Sequence, residues 1–362
     1  MPGTTFTVDA FKYGALDFCT AYFLTHFHSD HYGGLTKGFA GEIYCSRITA
    51  NLVISKFRID PRQVHALPMN TRCIVQGVYV TLIDARHCPG AAIILFEVPE
   101  GGKLMRIVHT GDFRAADRHV LNAVHTSPMV DYIYLDTTYL EPTYSFPKQH
   151  QVVDVVGEFC YRIDSDSEYL PAALNLLFVV GTYTIGKEKL FIEIARRLRS
   201  KIYVPQDKRR LLDCFQSTSL SNMLTDAMDE AQVHAVPMSM VNMRGMAEYL
   251  HTVQAAAPSF TRVVAFSPTG WSHAGPYIPG RQHTPSPIPH MSDDSGESFG
   301  VEKLKPRGLS DRVAIFPVPY SEHSSFAELA RFVCSLKAGQ VLPTVYSTSD
   351  KNRQANDWLC HW

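Results

Sequence analysis

The chain has 362 residues, 45% hydrophobic and only 19% charged, which supports a sizeable core in two or three domains or one large α/β unit and excludes general disorder. Its 34 Lys and Arg against 35 Asp and Glu leave no global attraction to nucleic acid, so any such contact has to use a local basic patch. Eight cysteines with no CxxC pair and no short, even spacing exclude a disulfide framework and a cysteine zinc site, and no apolar run is long enough to cross a bilayer.

Phe6–Phe11 reads as a first strand and Ala21–Leu24 as a short buried one. The second runs directly into His26-Phe27-His28-Ser29-Asp30-His31, three imidazoles and a carboxylate within six residues. Residues two apart on an extended segment share a face, so His26 and His28 can grip one ion, while Asp30 and His31, past the turn, can reach a second. Imidazole and carboxylate are the ligands that zinc and similar cations favour. A solvated polar loop, with Asp30 capping a helix that starts at Tyr32-Gly33-Gly34-Leu35, accounts for Asp30 and leaves the histidines unexplained.

Cys73–Ala85 alternates apolar residues around a break at Gln76-Gly77, a hairpin signal, and His87 follows it in a Cys88-Pro89-Gly90 turn. Ala91–Val98 and Leu104–Thr110 form a second candidate pair around Pro99-Glu100-Gly101-Gly102, and Asp112 follows that pair. Asp131–Asp136 is a further strand. Alone, His87 or Asp112 would be ordinary loop residues. With the first cluster they complete a four-ligand site of His26, His28, His87 and Asp112, and a second of Asp30, His31 and a bridging Asp112. Two cations roughly 3.5–4 Å apart are the arrangement that holds both oxygens of a phosphoryl displacement.

From about Gln151 the texture changes to alternating helix and strand: a helix over Gln151–Ile163, a strand over Asn175–Val180, and a helix over Lys187–Leu198 with Leu190, Phe191, Ile194, Ala195 and Leu198 on one face. Strands at Lys201–Val204, Val233–Val236 and Arg262–Phe266 alternate with helices near Arg209–Phe215 and Arg244–Val253, which predicts βαβ units and a parallel sheet. Residues 272–308, rich in Pro, Ser, Gly and His, read as a mobile, disordered loop; order resumes with Val313–Val318, a helix over Phe326–Leu336 and a strand over Gln340–Tyr346.

In order and spacing, Asp9, the His26–His31 cluster, His87 and Asp112 resemble the metal motifs of the metallo-β-lactamase fold. Leu135-Asp136-Thr137-Thr138-Tyr139, Gly181–Lys189 and Pro319-Tyr320-Ser321-Glu322-His323-Ser324-Ser325 resemble its β-CASP branch, and within it the DNA cross-link repair nucleases, the group of Apollo and Artemis. The resemblance covers the chain from Phe6 to about Trp358. It implies an αββα sandwich in two parts, residues 1–149 and 309–362, with a β-CASP domain inserted at 150–308. Asp9 would support the histidine loop from behind. Asp136 matches the acidic motif A. His323 matches the motif B histidine, which contacts the scissile phosphate and protonates the leaving oxygen; a neighbouring carboxylate raises and orients an imidazole in just this way.

Ser325-Phe326-Ala327-Glu328 is also a capping box, so Ser325 has a structural use of its own. RNA-processing β-CASP members carry a histidine at motif C where this chain has Val345. The DNA-directed branch has valine there too, so Val345 points to DNA and leaves the second ion fewer protein ligands. Thr182, Tyr183, Thr184, Gly186 and Lys187 lead into a helix N-terminus, which suits a phosphate or is ordinary strand-to-helix turn chemistry. Tyr320, Ser321 and Ser324 could join that pocket.

Together these features predict a zinc-dependent 5′→3′ DNA exonuclease of cross-link repair that counts from a 5′-phosphate end. A water whose pKa is lowered toward about 7 supplies the hydroxide, with one tight zinc site and a second, weaker divalent site. The rival readings are an RNA-processing nuclease, a structure-selective endonuclease of the Artemis type, a small-molecule thioester or lactam hydrolase, and an inactive scaffold. Family resemblance places the protein in the nucleus; Lys208-Arg209-Arg210 is at most a weak address. A monomer with no membrane association is expected, and Met1, so close to the first strand, suggests a catalytic fragment or a minimal family member.

Overall fold

The computed structural model describes residues 1–115, 129–165, 175–270, 299–345, 357–360 and 362. They fall into two compact units, one from the described residues of Met1–Ser145 and Glu322–Trp362, the other from those of Phe146–Ala274 and Gly296–Ser321.

The first unit holds two sheets. Strands β1 (Phe6–Val8), β2 (Ala21–Phe23), β3 (Ile43–Ser46) and β4 (Val64–Leu67) pair in that order, all parallel. The second sheet is built of β5 (Arg72–Val75), β6 (Val78–Asp84), β7 (Ala92–Glu100), β8 (Lys103–His109), β9 (Val130–Leu135) and β17 (Ala338–Pro343), in the order β17-β9-β8-β7-β6-β5. Phe6 and Phe23 of the first sheet share a core with Val80, Ile94, Phe96 and Ile107 of the second, and the Phe23 and Phe96 rings meet edge to face at 4.9 Å. Helix α1 (Ser29–Tyr32) follows β2, α2 (Arg47–Phe57) packs on β3 and β4, and a late helix, α8 (Phe326–Ser335), packs on β17. This is the expected mixed α/β sandwich of layers.

Several local expectations need correction. The first strand stops at Val8, because Asp9 adopts φ 50°, in the left-handed region, and turns the chain. The helix after the histidine cluster ends at Tyr32 instead of beginning there, and its N-cap is His28, not Asp30. The turn of the second hairpin is only Gly101-Gly102, since Pro99 and Glu100 still pair in β7. Helix α2 has no counterpart among the expected elements; Ser46 caps it, its hydroxyl accepting the Thr49 N–H.

The second unit is a seven-stranded sheet of β10 (Asn175–Thr182), β11 (Ile202–Tyr203), β12 (Leu224–Thr225), β13 (Val233–Pro237), β14 (Phe260–Pro268), β15 (Gly308–Leu309) and β16 (Val313–Val318), in the order β12-β11-β13-β10-β14-β16-β15. Among the described strands only the β15–β16 pair is antiparallel. Leu176, Phe178 and Val180 of β10 face a core with α3 (Gln149–Ser165) and α4 (Glu188–Leu198). Leu177 and Val179 face another with α7 (Met243–Ala256). Burial on both faces explains the unbroken apolar run of β10. Helices α5 (Gln206–Asp213) and α6 (Thr218–Met223) complete the unit.

The boundary expected at 309 falls ahead of β16, which pairs with β14 inside this unit's sheet. The loop expected over 272–308 lies largely outside the described residues; its described end carries a 3-10 turn at Val301–Lys303 and part of β15. No helix among the described residues is long and apolar enough to cross a membrane.

Candidate metal centre

Parallel β1 and β2 deliver their C-terminal ends to one edge of the sheet, where the residues just beyond the two strands meet. The Asp9 carboxylate accepts the Thr25 N–H at 2.9 Å and the Thr25 hydroxyl at 2.7 Å, and lies 2.7 Å from His31 Nδ1. Thr25 carried no signal in the sequence beyond preceding a histidine. Its hydroxyl proton is spent on Asp9, so its oxygen accepts the Nδ1–H of His26 at 3.0 Å. That fixes the tautomer of His26 and leaves Nε2 with its lone pair.

His87 is fixed in a similar way: its Nδ1 sits 3.0 Å from the Glu322 carbonyl, an acceptor only, so its Nε2 also carries a lone pair. Both Nε2 atoms converge on His28 Nδ1, each at 3.0 Å. Asp112 Oδ2 stands 3.5 Å from His26 Nε2 and 3.7 Å from His87 Nε2. Ligand atoms of His26, His28, His87 and Asp112 thus lie within 4.8 Å of one another, and so do those of Asp30, His31 and Asp112. His31 Nε2 is 3.3 Å from Asp112 Oδ2 and 3.7 Å from Asp30 Oδ2, with Asp30 largely exposed.

This donor set suits a divalent cation. Burial, with the other imidazoles around it, pushes His26 well below the ordinary histidine range, so it is neutral and ready to donate a lone pair. Burial opposes charge on His31 too, yet Asp9 and Asp112 pull it up to about 11. A site that draws a proton so strongly holds surplus negative charge, which a cation neutralises.

Asp112 is presented by a tight turn. Gly111 has φ 52°, and a Cβ there would come within 2.7 Å of Thr25 Cβ, so the loop needs glycine to approach the histidine strand. His109 backs this turn: Nδ1 accepts the Gly111 N–H at 3.1 Å and the ring stacks on Tyr134. Burial takes His109 down to about 4, against the pull of Asp9 and Asp112. Nothing in its sequence context marked this histidine.

On the other side of the cluster, His323 Nδ1 lies 2.8 Å from Asp136 Oδ2, and the His87 and His323 rings are 4.7 Å apart. Thr138 anchors the other Asp136 oxygen through its N–H at 3.0 Å and its hydroxyl at 2.6 Å. Burial works against the Asp136 charge, but His323 and Thr138 hold its carboxyl below the usual range. Asp112, Asp136 and His323 also offer atoms within 4.8 Å of one another. Val345, two residues beyond β17, accepts the Thr137 hydroxyl on its carbonyl at 3.1 Å.

The residues expected to hold a phosphate divide. In the second unit, Lys187 is buried, with Nζ 5.5 Å from the Tyr183 ring centre and 5.3 Å from that of Tyr320. It is the left-handed N-cap of α4, not its first helical residue. The Glu188 carboxylate already takes the Gly186 N–H at 2.8 Å, and Lys208 donates to the carbonyls of Tyr183 and Thr184. Thr182 spends its hydroxyl on the Val236 carbonyl, and the Ser321 carbonyl accepts from Gln149. Ser324 lies in the first unit, its hydroxyl donating to the Phe113 carbonyl and accepting the Ala115 N–H, each at 2.9 Å. The basic run Lys208-Arg209-Arg210 is helical, with Arg209 on Asp213 and Arg210 on Asp207.

The family model for the DNA repair metallo-beta-lactamase domain matches residues 218–349. Over 99% of its length the chain is 41% identical to the DNA cross-link repair 1A protein of Gallus gallus, covering 34% of that protein. It is 38% identical to the DNA cross-link repair protein SNM1 of Arabidopsis thaliana, over 99% of the chain and 69% of that protein. The chain spans about a third of the length of the cross-link repair 1A proteins it matches. A solved structure of a protein of unknown function from Enterococcus faecalis V583 shares the fold at TM-score 0.53 and 13% identity, covering 90% of this chain and 75% of that one.

Proposed function

The chain belongs to the SNM1/PSO2 family of DNA cross-link repair proteins, with its metallo-β-lactamase-type domain, and from that premise we propose that it is a metal-dependent 5′→3′ DNA exonuclease acting on 5′-phosphorylated ends. The observation that carries the reading is the convergence of three neutral-capable imidazoles and the Asp112 carboxylate on one point, with His323 and Asp136 against them.

His26, His28, His87 and Asp112 would hold one zinc, and Asp30, His31 and the shared Asp112 a second, weaker divalent ion. Such ions polarise a phosphodiester and acidify water. The chain's own residues do the rest. Thr25 and the Glu322 carbonyl keep the ligand tautomers in place. His323, in its imidazolium form with Nδ1–H held by Asp136, would deliver its Nε2 proton to the departing 3′-oxygen as the P–O3′ bond breaks, leaving a neutral imidazole with its remaining proton on Nδ1. The products are a nucleoside 5′-monophosphate and a chain with a fresh 5′-phosphate. Lys187, between Tyr183 and Tyr320, supplies the positive charge for the terminal phosphate. The biological setting is interstrand cross-link repair in the nucleus, with the protein acting as a monomer. Val345 favours DNA over RNA.

The test is product length from end-labelled DNA and RNA, with and without a 5′-phosphate, before and after chelation and for Asp112→Ala. Mononucleotides released from phosphorylated DNA alone, lost on chelation and in the variant, are the expected result. Full hydrolysis by the exhaustively chelated protein overturns the reading.

A further inference from the structure

Arg114 follows the metal-cluster residue Asp112 by two positions, yet it points into protein and is among the largest side chains that are completely buried. Its guanidinium grips Glu328 of α8 in a fork, Nε to Oε2 at 3.0 Å and Nη2 to Oε1 at 3.1 Å. The same Glu328 carboxylate accepts the Ser325 N–H at 2.7 Å and closes the capping box that starts α8. The Arg114 N–H is spent on the Ala85 carbonyl at 2.9 Å, two residues before His87.

This ion pair anchors a longer seam. The Ser324 N–H donates to the Phe113 carbonyl at 2.9 Å, the Ser324 hydroxyl bridges Phe113 and Ala115, and the Phe113 ring meets Phe332 of α8 at 4.8 Å. The Phe113 N–H also reaches Asp136 Oδ2 at 3.3 Å, the same oxygen that faces His323. Residues 113–115 and 322–328 are therefore stitched together, with Asp112 immediately before one segment and His323 inside the other. A buried charge pair that loses one member leaves an uncompensated ion, so this anchor has one register.

We propose that Arg114, through Glu328, is a positioning residue that sets where His323 stands relative to the metal-ligand cluster. It touches neither substrate nor metal; it fixes the start of α8, and α8 fixes His323. The proposal rests on the nuclease reading above. An imidazole misplaced by about 1 Å costs on the order of 10²-fold in rate, so the seam acts on turnover.

Two variants test it. Arg114→Lys keeps the charge and loses the two-pronged fork. Glu328→Gln keeps the capping box, which glutamine also satisfies, and removes the anion; it serves if Arg114→Lys does not fold. Single-turnover cleavage of 5′-phosphorylated DNA at saturation, zinc content and DNA affinity are measured for each variant, in the unmutated and the His323→Ala backgrounds. The expected result is a fall in rate on the order of 10²-fold with zinc content and DNA affinity retained, and no further fall when His323 is already absent. An equal fold-loss in both backgrounds, or full activity in Glu328→Gln, overturns the proposal. Absence of hydrolysis by the unmutated protein overturns the nuclease reading itself, which the other outcomes leave standing.

Discussion

Asp136 and His323, 187 residues apart in the chain, meet through Oδ2 and Nδ1 at 2.8 Å, with the second Asp136 oxygen tied to Thr138. An ionised carboxylate only accepts, so Nδ1 of His323 carries a proton toward Asp136, and in the proposed reaction Nε2 is the atom that gives up its proton. In Asp136→Asn an amide N–H is free to face Nδ1 and reverse the tautomer. The rate is expected to fall by roughly 10²–10⁴-fold, the usual worth of a positioned acid or base, while zinc content stays constant. Unaltered single-turnover rates in Asp136→Asn would assign His323 a merely structural place.

Lys187 is the cation enclosed by Tyr183 and Tyr320. Lys187→Met keeps the packed stem and drops the charge. Dephosphorylated ends are expected to be degraded much more slowly than phosphorylated ones by the unmutated protein, and the variant to lose most of that difference with its zinc intact. Equal rates on the two ends before mutation would reduce the cluster to a turn that starts α4.

A valine side chain carries no metal-ligating atom, so in the proposed two-metal arrangement the second ion would have Asp30, His31 and a shared Asp112. Three groups, one of them shared, bind more weakly than four. The purified protein is expected to hold about one tight zinc and to need added metal for full rate. Val345→His is expected to raise occupancy of the second site. Two ions that survive long dialysis of the unmutated protein contradict this account.

His234 gives the second unit a pH dependence of its own. Its Nε2–H donates to the Ala231 and Met228 carbonyls at 3.1 and 3.2 Å, and its Nδ1 lies 2.9 Å from the Tyr249 hydroxyl. Burial pushes it down to about 4, although those carbonyls pull the other way. An unfolded histidine titrates near 6.5, so below that pH the unfolded chain takes a proton that the folded one refuses. Stability is expected to be full above pH 6.5 and to fall by roughly 3 kcal/mol between there and pH 4. Urea unfolding of the unmutated chain and His234→Gln over this range checks it; identical slopes would mean that His234 is charged in the fold.

Local pattern and strand-end position made much of this legible. The hairpin at Gln76-Gly77, the two-faced strand β10 and the apolar stripe of α4 each announce themselves within a dozen residues. The histidine cluster does so within six. His87 and Asp112 needed the inference that strand ends carry chemistry. What stayed hidden depends on distant partners. The turn at Asp9 exists because its carboxylate reaches Thr25 and His31. Helix α2 carries Ile48, Thr49, Val53 and Ile54, β-branched residues of low helix propensity, and gives no helix signal of its own before it packs against β3 and β4. Ser324 looked like a phosphate ligand because nothing near it in sequence shows that Phe113 and Ala115 claim its hydroxyl. Arg114 carries no signal at all in the sequence, because its partner Glu328 lies 214 residues away.

The pairing of β9 with β17 carries a consequence for biosynthesis. At roughly 5–20 residues per second, the about 200 residues between these strands take on the order of 10–40 s to emerge from the ribosome. During that interval β5 to β8 can close their hairpins from local sequence alone, while β9 waits as an open sheet edge, its N–H and C=O groups unclaimed on one side. His87, already made, lacks the Glu322 carbonyl that sets its ring until the same late stretch arrives. A ribosome that stalls or a chain that is cut in this interval leaves a sticky strand and an unset imidazole, so the nascent protein is most exposed to aggregation just before residues 322–343 are synthesised.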